Sequence, residues 1–205
     1  MEVKVIKSKF MHNLFDQNTY VVLNKKQAII IDAGADLEDV KQVVGNRKVQ
    51  AVLMTHLHFD HFWFLDEYLK EFNTCVYIKQ GAQIKFSNSD LNGAVLVGKN
   101  IQKIIEENQI KFYEKHLKLG EFDCEIIETP GHAADCVCVL VENNLFTGDT
   151  IFADSIGRTD LKDSSKEQML SSLKTIKNLD FEKVFPGHYN FATKNQIDKI
   201  IDFYL

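Results

Sequence analysis

The sequence predicts an α/β fold in one domain spanning residues 1–205, with two stacked mixed β-sheets and helices on their outer faces. Three observations predict it. The chain has 205 residues, 45% of them hydrophobic, enough for a sizeable core and near the length of one domain. Short β-branched runs separated by polar turns recur from end to end. After an opening hairpin, strand-like and helix-like segments alternate in both halves, and such alternation buries helices on sheet faces. No tandem repeat of roughly 20 to 50 residues is visible.

The elements follow in order. Residues 3–8 read as a mixed strand. Residues 20–23 are β-branched and apolar, 24–27 a polar turn and 28–31 a second buried strand stopped by Asp32-Ala33-Gly34, which together signal a hairpin. Asp36 can cap a short helix through Val40, Val43 and Val44. Residues 49–54 form a strand, and Phe62, Leu65, Tyr68, Leu69 and Phe72 then recur at helical spacing. A strand returns at 75–78, and residues 80–98 show no clear period. Residues 99–108 are predicted helical, with Ile101, Ile104 and Ile105 on one face. Strands follow at 112–113, 124–127, 136–141 and 144–147. Ser164 begins a helix as a capping box with Glu167, its apolar stripe being Met169, Leu170, Leu173 and Ile176. A strand at 183–185 and a helix at 194–204 close the chain.

Composition narrows the function. Lysine and arginine total 24 against 29 acidic residues, a net charge of −5, which argues against a nucleic-acid partner because phosphate binding needs a clustered basic surface. Two prolines and ten glycines leave no linker or collagen-like segment. No apolar run approaches the roughly 18 to 20 residues of a membrane span. The opening Met1-Glu2-Val3-Lys4-Val5 lacks the apolar stretch of a secretory signal, so no membrane association is expected. Cysteines stand at 75, 124, 136 and 138, in a chain long and apolar enough to fold without staples. A reducing cytoplasm is expected. Cys136 and Cys138 would share one face of a strand, as small core side chains rather than a metal or redox pair.

The chemistry is concentrated in His56-x-His58-x-Asp60-His61, directly after a strand, where a loop can splay side chains toward one point. Imidazole nitrogens and carboxylate oxygens suit zinc, iron and manganese. Further donors follow glycine turns at the exits of β-rich runs: His132 in Thr129-Pro130-Gly131-His132, Asp149 in Thr147-Gly148-Asp149-Thr150, and His188 in Pro186-Gly187-His188. Each alone reads as a turn or surface residue. Zinc takes about four donors, so six or seven imply two ions. His12 and His116 fall outside the set.

Together these motifs resemble the metallo-β-lactamase superfamily, and most of all its glyoxalase II branch, the hydroxyacylglutathione hydrolases and their short relatives. The matching segments are Asn18-Thr19-Tyr20, Ile31-Asp32-Ala33-Gly34, residues 55–61, 129–132 and 145–152, Ser155-Ile156-Gly157-Arg158-Thr159-Asp160, and Pro186-Gly187-His188. They occur in the family's order over nearly the whole chain. The resemblance implies a four-layer αβ/βα sandwich with the site at one edge of the sheets. It implies that His56, His58 and His132 hold one metal, that Asp60, His61 and His188 hold a second, and that Asp149 bridges them. Asp60 and Asp149 are then also the catalytic carboxylates. It implies two divalent ions, zinc first, with iron or manganese as alternatives. A bridging hydroxide would be the nucleophile and a small acyl thioester the substrate. A bound water's pKa can fall to about 7, so no serine or cysteine nucleophile is required.

The chain departs from the family in places. Phe62-Trp63-Phe64 stand where a glycine pair is common, and could narrow the mouth of the site or pack a helix. Ala133-Ala134-Asp135 replace a Thr and a Pro-Gly, so a hydroxyl that steadies the ligands is expected to be missing. The chain ends about 17 residues after His188, without the helical domain that helps hold glutathione in full-length glyoxalase II. Arg158 is a candidate for holding a substrate carboxylate, or for a loop-locking ion pair with Asp154 or Asp160.

Other readings stay open. A mononuclear iron persulfide dioxygenase would use only His56, His132 and Asp149. An RNA-processing nuclease and a non-catalytic metal-binding module are further alternatives. β-Lactamase activity is not expected, because secreted members should show a signal peptide and typical ones lack a His after the motif's Asp. The acyl group, the thiol carrier and the oligomeric state are left open by the sequence.

Overall fold

The computed structural model describes residues 1–9 and 16–205; His12 lies outside the described residues. The first sheet is built, in spatial order, from β1 (Glu2–Lys7), β2 (Asn18–Leu23), β3 (Gln27–Ile31), β4 (Lys48–Leu53), β5 (Val76–Ile78) and β6 (Ile110–Phe112). The second runs from β7 (His116–Leu119) through β8 (Phe122–Glu128), β9 (Val137–Val141), β10 (Asn144–Gly148) and β11 (Lys183–Pro186) to β12 (Ala192–Thr193). Both are mixed. β1 to β3 pair antiparallel and β3 to β6 parallel, while the second sheet is antiparallel except between β10 and β11.

Parallel neighbours need crossovers, and helices supply three of them. Helix α1 (Leu37–Val44) links β3 to β4, α2 (Leu65–Phe72) links β4 to β5, and α3 (Lys166–Lys177) links β10 to β11. Helix α4 (Lys194–Tyr204) closes the chain, with Thr193 and Gln196 forming its capping box.

Alternation along the strands divides the core into three layers. Tyr20, Val22, Ile29, Ile31 and Leu53 point between the sheets, where they meet Phe122, Val137, Val139 and Phe146. Val21, Ile30 and Val52 point the other way, onto Val40, Leu65, Tyr68 and Leu69 of α1 and α2. Cys138, Leu145 and Val184 face Met169, Leu173, Ile176, Ile197 and Ile201 of α3 and α4. The layers are helix, sheet, sheet, helix, the four-layer sandwich expected. All four cysteines are free, and burial pushes the Cys124 and Cys138 thiols up to about 12. No helix among the described residues is long and apolar enough to cross a membrane.

Three local expectations fail. Residues 101–106 are not helical, and only a short 3-10 turn at Glu107–Gln109 follows. Ile101 and Ile105 pack on the outer core but Ile104 is 93% exposed, so the three isoleucines do not form one face. The Ile101 N–H donates to Ser89 Oγ and the Lys103 N–H to the Phe86 carbonyl, diverting groups a helix would pair internally. Helix α3 is capped one residue later than predicted, by Ser165, whose hydroxyl accepts from the Gln168 N–H; Ser164 instead donates to the Leu161 carbonyl. Asp36 occupies the N-cap of α1 without a side-chain capping bond. Strands β7 and β12 were not anticipated.

Candidate metal centre

Strand direction brings the donors together. β3 and β4 run parallel, as do β10 and β11, and β8 shares the direction of β10 across antiparallel β9. The segments leaving β4, β8, β10 and β11 therefore emerge at one edge of the sandwich, and they carry residues 56–61, His132, Asp149 and His188.

All seven sequence-predicted donors converge there. His56 Nε2 lies 3.1 Å from His58 Nδ1, and His132 Nε2 lies 2.9 Å from the same His58 nitrogen. On the other side His188 Nε2 is 3.3 Å from Asp60 Oδ2, and His61 Nε2 is 3.9 Å from that oxygen. Asp149 spans both groups: Oδ1 is 3.3 Å from His61, while Oδ2 is 3.4 Å from His188 and 3.5 Å from His132. Two donor triads with the geometry to hold an ion result, His56–His58–His132 and Asp60–His61–His188, and a third, His56–His61–Asp149, joins them.

Outer hydrogen bonds aim the rings. Asp32 Oδ2 accepts from the Thr55 hydroxyl at 2.8 Å and from His61 Nδ1 at 2.8 Å, while Oδ1 accepts from the Thr55 N–H at 2.8 Å. With its only proton on Asp32, Thr55 Oγ1 accepts from His56 Nδ1, 3.2 Å away. His132 Nδ1 donates to the Arg158 carbonyl at 3.0 Å. In the neutral form of all three rings Nδ1 carries the proton and the Nε2 lone pair points into the site, the tautomer a metal ligand needs. Asp32 adopts a left-handed φ of 62°, a conformation aspartate tolerates better than most side chains.

The segment Asn18-Thr19-Tyr20 fastens the His188 loop. Asn18 Nδ2 donates to the carbonyls of Pro186 and Tyr189 at 2.9 and 3.0 Å, and the Tyr20 hydroxyl donates to the Pro186 carbonyl at 2.6 Å. Tyr189, next to His188, has φ 64°, strain that Asn18 and Lys7 Nζ hold in place through its carbonyl. Gly187 leaves no room for a side chain: a Cβ there would lie 2.2 Å from Asp149 Oδ1 and 2.6 Å from His61 Cε1.

Electrostatics divides the donors in two. Burial and the neighbouring histidines hold His56 well below the ordinary histidine range. Burial, His132 and the Lys85 ammonium do the same to His58. Burial would also lower His61 and His188, but Asp32, Asp149 and Asp60 raise His61 well above it, and Asp149 and Asp60 carry His188 up to about 10. Against the upward push of burial, His188 and His61 hold Asp149 well below the carboxylate range. Burial raises Asp60 too, but the charge of His61 and the hydrogen bond and charge of His188 hold it below the ordinary carboxylate range.

The residues fit a divalent cation. His56 Nε2 and His132 Nε2 both lie about 3 Å from His58 Nδ1; a proton on His58 can be aimed at only one of them, so a lone pair still faces the centre, as a cation requires. The buried atoms His61 Nε2 and Asp149 Oδ1 face each other at 3.3 Å without an aligned hydrogen bond among the described residues, an uncommon state for buried polar groups. A field of carboxylates that favours protons on His61 and His188 favours a metal ion in their place. Nitrogen and oxygen donors without sulfur suit zinc, iron or manganese.

The remaining expectations resolve individually. Arg158 forks onto Asp160, with Nε and Nη2 at 2.6 and 2.8 Å from its two oxygens, rather than onto Asp154, and both partners are exposed. The loop-locking pair therefore exists, and Arg158 also lines the rim of a cleft of about 640 Å³ over the donors. Phe62 is buried against Phe86, and Trp63 and Phe64 pack on the same outer core; none of the three lines the cleft, so they serve helix packing. His116 is exposed on β7, away from the donors. Asp135 is not a simple loss: its Oδ2 accepts the Leu57 N–H at 2.8 Å, inside the His56–His58 segment. Sequence reasoning missed the roles of Asp32, Asp135 and Lys85, and only Asp32 left a signal, as the polar stop of an apolar strand.

Comparison with known proteins agrees with this geometry. The family model for the Metallo-beta-lactamase superfamily matches residues 12–188. A probable metallo-hydrolase of Methanocaldococcus jannaschii is 29% identical over 186 residues, covering 85% of this chain and 88% of its own. Among solved structures, that of BLEG-1 B3 metallo-beta-lactamase is 30% identical with a TM-score of 0.88 and covers 99% of both chains. TTHA1623, crystallised in a di-iron-bound form, is 26% identical with a TM-score of 0.80, covering 93% of this chain and 96% of its own.

Proposed function

The chain belongs to the Metallo-beta-lactamase superfamily, and we propose that it is a two-metal hydrolase of small acyl thioesters, in the manner of the glyoxalase II branch. The reading is carried by one observation: seven donors from four separate loops converge on one cleft, with histidine lone pairs turned inward. His56, His58 and His132 would hold one ion, Asp60, His61 and His188 the other, and Asp149 would bridge them. Zinc is the first candidate, and the di-iron form of TTHA1623 supports iron as an alternative. The cations supply Lewis acidity and a hydroxide nucleophile at neutral pH.

The chain's own residues do the rest. Asp60, which lines the cleft, would take the proton of the attacking water. Asp149, touching both histidine groups, holds them at a fixed separation. Leu96, Val97, Phe152 and Ile156 line the cleft and shield an acyl chain from water. Arg158 at the rim offers a fork to an anionic group of the thiol carrier, in exchange for Asp160. A thiolate leaves readily, so the chain needs no strong acid on the leaving-group side.

A second reading, β-lactam hydrolysis, has the likeness to the B3 enzyme behind it. The same donors would serve a strained amide. Metal analysis of protein from its native host, followed by a panel of acyl thioesters, β-lactams and a persulfide, separates the readings. Two ions per chain with thioester cleavage dominant is the expected result. Dominant β-lactam turnover would favour the second reading, and a single iron with oxygen uptake on the persulfide would replace both.

A further inference from the structure

Lys85 is a buried lysine outside the donor set. Only 4% of it is exposed, in the 3-10 helix Ala82–Ser87, and its Nζ lies 2.5 Å from both Asp135 Oδ1 and Asp163 Oδ2. Removing a lysine and two carboxylates from water is costly, and such a group is kept only where its geometry is well satisfied. Each partner leads to a ligand-bearing loop. The other oxygen of Asp135 accepts the Leu57 N–H, between His56 and His58. Asp163 lies at the far end of the loop whose Arg158 carbonyl accepts from His132 Nδ1, and its Oδ2 is 3.4 Å from the Ala134 N–H.

A second route reaches the same loop. The Lys85 carbonyl accepts from Asn92 Nδ2 at 2.8 Å, and the Asn92 carbonyl accepts from the Phe59 N–H at 2.9 Å. His58 thus sits between two backbone N–H groups, those of Leu57 and Phe59, each held through a chain that ends at Lys85. His61 and His188 have anchors of their own on the opposite side, Asp32 and Asn18, and the two halves meet where the His61 N–H donates to the His58 carbonyl at 3.0 Å.

We propose that Lys85, acting through Asp135 and Asp163, is a positioning residue specific to the His56–His58–His132 half of the site. Its ammonium is paired with two carboxylates and lies outside the cleft lining, so it does not touch substrate. It fixes the loop carrying His58 and the loop that orients His132, whereas His61 and His188 keep separate anchors in Asp32 and Asn18. The inference rests on the two-metal reading above.

Titration of the metal-free protein with Co²⁺, followed by ligand-field absorption and chelator competition, tests it. Wild type is expected to take up two ions. Lys85→Met should weaken one of the two by about ten- to a hundredfold, the loss typical when groups behind metal ligands are removed, and leave the other within about threefold. Lys85→Arg, which keeps the charge and can pair with both carboxylates, should recover most of the loss. Asp163→Asn, which removes one arm and leaves the pair with Asp135, serves if Lys85→Met does not fold, and should weaken the same ion to a smaller degree. Equal weakening of both ions, or of neither, overturns the assignment while leaving the two-metal reading intact. Wild-type protein that takes up fewer than two ions overturns both.

Discussion

Asp32→Asn is the most discriminating perturbation of the site. The carboxylate is buried and accepts three hydrogen bonds, each 2.8 Å long, from the Thr55 N–H, the Thr55 hydroxyl and His61 Nδ1. Asparagine has the same shape and tolerates the left-handed φ of 62°, so the backbone is preserved. Its amide, however, has one acceptor oxygen and one donor nitrogen. If the nitrogen faces the Thr55 N–H, two donors oppose each other in a buried place. If it faces His61 and the Thr55 hydroxyl, His61 must shift its proton to Nε2, which turns a donor hydrogen toward the metal position. Either arrangement removes a charge-assisted bond worth about 1.5–3 kcal/mol and leaves a buried group unpaired at a further cost of about 1–3 kcal/mol. Denaturant unfolding of the metal-free variant should therefore show a loss of about 3–5 kcal/mol. Metal affinity should fall by about ten- to a hundredfold. A variant that binds metal within twofold of wild type and unfolds at the same denaturant concentration would refute the claim that Asp32 sets the His61 tautomer.

Gly187→Ala should abolish tight metal binding and lower turnover by on the order of a hundredfold, because the new methyl must displace Asp149 and His61; crystallography or metal analysis showing an intact site would contradict it. Arg158→Ala should leave Tm nearly unchanged, since its pair with Asp160 is exposed. The same variant should raise KM for an anionic thioester more than it lowers kcat, and an unchanged KM would confine Arg158 to its loop. In the metal-free protein His188 titrates near 10 when folded, above its ordinary 6.5. The stability it contributes is complete below about pH 6.5 and is lost as the pH rises through 10, so Tm should fall across that window. Metal affinity should rise over the same range, because the cation displaces that proton; affinity that is flat with pH would count against His188 as a ligand.

Much of the fold was legible because its signals are local. Residues 20–23 and 28–31 are apolar on both faces, and the structure explains why: one face meets the other sheet and the other meets α1 and α2. Leu65, Tyr68 and Leu69, and later Met169, Leu173 and Ile176, repeat at helical spacing because each set covers one sheet face. The segment 99–108 shows where local periodicity loses to distant partners. Three isoleucines at helical spacing look like a stripe, but the N–H groups of Ile101 and Lys103 are claimed by Ser89 and Phe86, partners outside that segment. β12, two residues long, is too short to carry a period.

The site divides along the same line. His56, His58, Asp60 and His61 are compressed into six residues, and His132, Asp149 and His188 each follow a glycine turn at a strand exit, so the ligating side chains announce themselves. The groups that aim them do not. Asp32 is 23 residues from Thr55 and 29 from His61, Asp135 is 78 from Leu57, and Lys85 is 50 from Asp135. Read alone, Asp135 looked like the loss of a steadying hydroxyl; in the fold it steadies the neighbouring ligand loop by another bond. A donor is recognised by its own chemistry, whereas a positioning group is defined only by what it touches. Substitutions in the outer groups are therefore where chains sharing the seven donors can differ in how firmly each half of the site is held, and Lys85 marks one half of this one.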